Sequence, residues 1–336
     1  MRPASLTLLA VVTAAAIAVA VSLNAVRGSG GADAARGELF VPGLVDRIND
    51  VQRVEIEDRA GRTILRREGE GFVDDSGFPA NQAIVRDLLT NLSVLSIEEA
   101  KTDRPDRYAE LNLAEPSAKE GAARRVRVLA GDQMLADVLV GKTESSVGGT
   151  RGGLYARREG EARSWLLRGA VELPGARAGW FDNRLLELKS DQLQSLTLDD
   201  GTARARLYRP EGARELALQD VPDGRSADAS KVGQLAGTLG SLRFADLRKS
   251  GPGSGAGGGP VLTAVTRDGM TVRLIQTEHN ADAKSRWVRL EVSGSTNSDA
   301  AKVAELERRF KGFEFELRGV SAEMLGSKAD SFLALP

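Results

Sequence analysis

The feature that most restricts this chain is the run Leu6–Val26, set almost at its start. From Pro3 to Val26 there is no charged side chain, and Leu6, Leu8, Leu9, Val11, Val12, Ile17, Val19 and Val21 all fall within it. A spanning helix needs roughly 20 apolar residues at a rise of about 1.5 Å each, and the run meets that length. Arg2 on one side and Arg27 on the other give a weak positive-inside bias that holds the N-terminus in the cytoplasm. The expectation is a signal-anchor or transmembrane segment over 1–27, touching the lipid bilayer through 6–26, with one water-soluble body outside the inner membrane. A cleaved signal peptide is the competing reading, with Ala18 and Ala20 as an A-x-A-like site. The short n-region and the long apolar run argue against it.

Beyond that run the pattern changes. Residues 28–44 read as a tether with Gly28, Gly30 and Gly31, followed by the docking segment Leu39-Phe40-Val41-Pro42-Gly43-Leu44. Val54 and Ile56 alternate with Glu55 and Glu57, which predicts a strand with one wet face, and Gly61 turns the chain into the next strand. Ile84, Val85, Leu88, Leu89, Leu92 and Leu95 then form a stripe at helical spacing, with Asn81 as N-cap. Further strands follow at Arg125–Leu129, Leu135–Val140, Leu154–Arg157 and Ser164–Leu167. Tyr108 and Leu111 are inward anchors of a connector, and Trp180-Phe181-Asp182-Asn183-Arg184-Leu185-Leu186 reads as a short helix closing this half.

The pattern then recurs. Leu196 and Leu198 take the parts of Val54 and Ile56. Val85, Leu88, Leu92 and Leu95 recur as Val232, Leu235, Leu239 and Leu242, each at an offset of 147, and Asn81 recurs as Asp228 at the same offset. The fold expected is α+β: an N-terminal transmembrane helix, then two tandem, similar halves of antiparallel strands, each covered by an amphipathic helix. The halves run over 45–188 and 189–336. The second contains the glycine-rich linker 250–260 and a C-terminal helix.

Composition narrows function by exclusion. The 46 Lys+Arg balance 47 Asp+Glu, without the basic excess of a nucleic-acid-binding surface. There is no cysteine, which removes thiol chemistry and zinc–thiolate sites. His279 is the one histidine and sits at a polar hairpin tip with Glu278 and Asp282, poor ligand spacing for a metal. The glycine-rich Gly148–Gly153 lacks the Gly-Lys-Ser/Thr ending of a phosphate loop, and no G-x-S-x-G elbow is present. No catalytic residue, cofactor or metal site is expected. The residues singled out are a small basic cluster, Arg124, Arg125 and Arg127, suited to a solvated face or an acidic partner, and Trp180, Phe181, Asp182 and Arg184, with Asp182 and Arg184 as an ion pair beside Trp180.

LFVPGL at 39–44, VQRVEIE at 51–57, FPAN at 78–81, KTDRPDRYAELNL at 101–113, LADVLVGK at 135–142, LYARR at 154–158, WFDNRLLEL at 180–188 and FEFELRGVSAEML at 313–325 carry a resemblance. With the N-terminal run, they make the chain similar to the bacterial membrane-anchored family called domain of unknown function 4340. Phe72 stands where typical members carry tryptophan, and Val41 is inserted in the docking motif. The resemblance implies an extracytoplasmic accessory subunit of an ABC-type transport system, in which such proteins associate with a gliding-type auxiliary protein. It supplies no catalytic residues. The function expected is therefore a non-enzymatic, membrane-anchored accessory or scaffold protein at the bacterial inner membrane. Its partners would be a membrane complex, such as an ABC transporter permease or a gliding-type auxiliary subunit, and not nucleic acid. Two alternatives are an envelope glycan- or lipid-binding module using Trp165, Trp180 or Trp287, and an unrecognised hydrolase.

Overall fold

The structure is a computed structural model that describes residues 35–147, 152–251 and 259–334. Two compact units divide the chain, Met1–Leu173 and Pro174–Pro336.

In the first unit a one-turn helix, α1 (Leu44–Arg47), precedes the meander β1 (Arg53–Asp58), β2 (Gly61–Glu68) and β3 (Gly71–Asp74). Val54 and Ile56 point to the core and are essentially unexposed, as period-two alternation requires. Helix α2 (Gln82–Ser93) starts where the Asn81 side chain accepts hydrogen bonds from the Ala83 and Ile84 amides, at 3.1 and 3.4 Å. It buries Val85, Leu88, Leu89 and Leu92, each contributing about 1.5–3 kcal/mol by leaving water. β4 (Ser96–Ala100), β5 (Arg124–Ala130), β6 (Gln133–Glu144), β7 (Gly153–Arg158) and β8 (Ser164–Arg168) complete one antiparallel sheet ordered β3-β2-β1-β5-β6-β7-β8-β4. The helix thus connects the two edges of the sheet while covering one face. The docking segment joins it: Phe40 donates to the Leu95 carbonyl at 2.7 Å, and Ile97 donates to Glu38 at 2.9 Å.

The second unit repeats this plan. β9 (Arg184–Leu186), β10 (Leu193–Asp199), β11 (Arg204–Tyr208) and β12 (Ala217–Leu218) lead to α3 (Ala229–Leu239), capped by Asp228 at 3.1 and 3.2 Å. β13 (Leu242–Arg243), β14 (Asp246–Lys249), β15 (Val261–Thr266), β16 (Met270–Asn280) and β17 (Ser285–Gly294) follow. The unit ends with α4 (Ala300–Phe310), β18 (Phe313–Arg318) and α5 (Gly319–Leu325). Its main sheet is ordered β12-β11-β10-β15-β16-β17-β18-β14, the first unit's order strand for strand.

Trp180–Leu186 is not a helix closing the first half. Arg177–Trp180 is a 3-10 turn, β9 pairs with β13, and Phe244 donates to the Asn183 carbonyl at 3.0 Å. The segment opens the second unit and takes the place that Glu38–Phe40 takes in the first. Its backbone groups find partners in a ladder with residues 239–244, which leaves a local helix nothing to satisfy.

The expected N-terminal transmembrane helix is corrected. Among the described residues no helix is long and apolar enough to cross a membrane. The longest, α2, has 12 residues, about 18 Å of rise against a hydrocarbon core of roughly 30 Å. The run 6–26 lies outside the described residues. With the anchor go the bilayer contact through 6–26, single-pass inner-membrane localisation with a periplasmic body, and membrane attachment to a transporter complex. What stands is an α+β chain with two large antiparallel sheets.

Candidate functional site

The face of the first sheet turned away from α2 carries two of the three predicted arginines, Arg125 and Arg127. Antiparallel register places Arg127 between Glu55 of β1 and Asp137 of β6. Arg127 donates to Glu55 and Glu57 at 3.3 Å each, and Arg125 grips Asp137 with two bonds of 2.8 and 2.7 Å. Glu55 also accepts from Arg62 and lies 3.0 Å from Arg53. Only 5% of Glu55 is exposed. Burial opposes its ionisation, but hydrogen bonds from Arg62 and Arg127 outweigh it and hold the carboxyl below its ordinary range. The bonds to Asp137 push the Arg125 guanidinium up. Arg124 belongs to the opposite face: it donates to the Leu173 carbonyl at 2.7 Å, and burial lowers its pKa. The three arginines therefore do not form a positive patch. Two belong to a lattice of alternating charges, and the third clamps the chain where the unit ends.

The rest of this face is roofed by the chain itself. Pro105–Leu111 forms a 3-10 turn, and Tyr108 and Leu113 pack with Ala123, Leu139, Tyr155 and Leu166 in a second small core. The Tyr108 hydroxyl donates to Ala162 at 2.6 Å, and the buried Arg157 guanidinium lies 4.8 Å from the Tyr108 ring centre while pairing with Glu115. Gly121 permits the roof, since its φ is +61° and a Cβ there would stand 2.3 Å from the Ala109 backbone.

In the second unit, Trp180 and Phe181 are core side chains, with Phe181 6.3 Å from the Phe244 ring. Asp182 and Arg184 do pair, at 2.8 and 3.1 Å, but in solvent, with nearly half of each side chain exposed. The bond from Arg184 is the main reason the Asp182 carboxyl sits below its usual range. Arg309 of α4 donates to the Asp182 and Arg184 carbonyls at 2.6 and 2.9 Å. The group is a clip between α4 and β9. Trp165 is also buried, and Trp287 is half-buried with the Arg248 guanidinium 4.1 Å from its ring centre. None of the three tryptophans presents a free stacking face. His279 is exposed on β16, its neighbour Glu278 pairs with Arg248, and no group of three His, Asp or Glu is placed to hold a metal among the described residues.

One concave site of the first unit was not singled out from sequence. A cleft of about 690 Å³ runs along the flank of α2, between it and the chain leaving β8. Ile84, Leu88 and Val94 supply an apolar floor, and Asp87, Asn91, Arg168 and Glu172 the polar walls. Arg168 is committed to Glu98, at 3.1 and 2.7 Å, and Glu98 also binds Arg36. Asp87 and Glu172 have no ion-pair partner among the described residues, so the walls are net acidic. Val94 is 48% exposed, one of few large apolar side chains so open. Along the sequence Ile84 reads as part of the inward stripe and Val94 falls outside it; at the 147-residue offset their places are taken by Lys231 and Ser241.

A family model described as "Domain of unknown function (DUF4340)" matches residues 72–256. The match carries neither membrane anchoring nor an association with a gliding-type ABC transporter. No curated protein matches the chain.

Proposed function

The chain belongs to the family described as Domain of unknown function (DUF4340), and on that premise we propose that it works as an accessory or scaffold protein, binding another protein without catalysing a reaction. The single observation that supports this reading is the cleft beside α2. It joins an apolar floor, of which Val94 is the exposed part and Ile84 half-buried, to acidic side chains without ion-pair partners among the described residues, the mixture that marks a protein contact and not a solvated face. On the outer face of the first sheet Glu55, Arg125, Arg127 and Asp137 are spent on one another. Affinity purification of the tagged full chain from its native cells tests the reading. A defined partner protein should be recovered with the wild type and lost with Val94→Glu, while circular dichroism of the variant stays unchanged. Recovery of the same protein by both forms would defeat the assignment.

A further inference from the structure

The two units differ at one place that their common strand order makes comparable. β8 and β18 are equivalent last strands, and each hands over to a glycine with positive φ: Gly169 at +109° and Gly319 at +56°. In the second unit the chain then forms α5, which buries Ala322, Met324 and Leu325 and packs against α3. Past α5 it continues along the same helix to its N-cap, where the Asp228 amide donates to the Phe332 carbonyl at 2.8 Å. The flank of α3 is thus covered by an amphipathic helix of the chain's own. In the first unit, Gly169 is followed by Ala170, Val171, Glu172 and Leu173 with no helix, and the flank of α2 remains the open cleft.

We propose that this cleft receives a short amphipathic helix from a partner protein, seated along α2 as α5 and its extension are seated along α3. The inference rests on the protein-binding reading above and adds what the bound segment is. Apolar side chains two and three positions apart, like Ala322, Met324 and Leu325, meet Ile84, Leu88 and Val94. Asp87 and Glu172 select a basic residue on the rim of the incoming helix, because a like charge there is repelled. In α5 the charged residue is Glu323, which is exposed. A helix-in-groove complex of this kind draws its affinity from a few apolar anchors and its orientation from the charged rim.

The probe is a fluorescein-labelled synthetic peptide copying Arg318–Ala334, in its native form and with Glu323→Lys, titrated against the intact 336-residue chain by fluorescence anisotropy. Saturable binding is expected, tighter for the Glu323→Lys peptide. It should weaken roughly tenfold or more on Val94→Glu and on Asn91→Arg, a loss of about 1.4 kcal/mol or more, and the preference for the lysine peptide should vanish on Asp87→Lys. No binding by either peptide, or binding unaffected by all three substitutions, overturns the helix. If partner recovery is still abolished by Val94→Glu in that case, the protein-binding reading survives and only the helical occupant fails. A concentration-dependent dimer of the full chain that Val94→Glu dissolves also overturns the proposal, because it assigns the cleft to a second copy.

Discussion

Glu55 shows how one carboxylate organises a surface. It takes charge from Arg53, Arg62 and Arg127 at almost no exposure, so its loss leaves three cations facing one another. Glu55→Gln should cost about 1–3 kcal/mol, read as a shift of the urea midpoint at neutral pH. Because the folded state lowers the pKa of Glu55, its contribution is complete above the unfolded value, near pH ~4.3. It drains away as pH falls toward the folded value. Wild-type stability should therefore drop more steeply on acidification below that point than that of Glu55→Gln. The arginines of this lattice were legible in the sequence but their partners were not. Glu55 stands 72 residues from Arg127, and only the sheet's register brings them together. A basic cluster read along the chain was in space a neutral one.

At the scale of elements, the helices were the most legible part, because a cap and a stripe are local. Asn81 satisfies two amides of α2 and has no effect beyond that turn. Asn81→Ala should cost about 1 kcal/mol, and hydrogen exchange should show faster opening at the start of α2 with the amides of α3 unchanged. The roof over the first sheet depends on Gly121. Gly121→Ala forces a Cβ into the Ala109 backbone at a positive φ, which should lower stability by more than the ~1 kcal/mol of an ordinary glycine replacement. It should also open Pro105–Asn112 to limited proteolysis before the sheet unfolds. Short strands such as β9 were misread for the opposite reason. Three residues carry no periodicity of their own, and their state is decided by a ladder with residues about sixty positions on. The cleft escaped for a related reason: it is defined by a helix that one unit has and the other lacks, a comparison that needs the topology first.

For the whole molecule, the duplicated order was visible in outline from the 147-residue offset, while the division at Leu173/Pro174 was not. The connection between β8 and β9 does carry a Pro174-Gly175 pair, but the apolar run Trp180–Leu186 that follows reads along the chain as the close of one half and not as the opening of the next. The common strand order also sets a timetable. In the first unit the meander β1-β2-β3 and the hairpins β5-β6 and β7-β8 close over short turns. The seams that complete the sheet, Ile56 to Val126 between β1 and β5 and Ile97 to Leu167 between β4 and β8, span long stretches of chain. Such distant pairings wait for loop closure and lag behind local ones. Ile97→Ala, at the buried seam between β4 and β8, should speed unfolding and leave the refolding rate nearly untouched, whereas Val138→Ala, inside the β5-β6 hairpin, should slow refolding. Stopped-flow traces on the two variants, with pulse-labelled exchange to follow the first unit, decide the matter. Until those seams zip, the nascent first unit displays unpaired strand edges at β1 and β5, so the interval before closure is when it is most exposed to self-association.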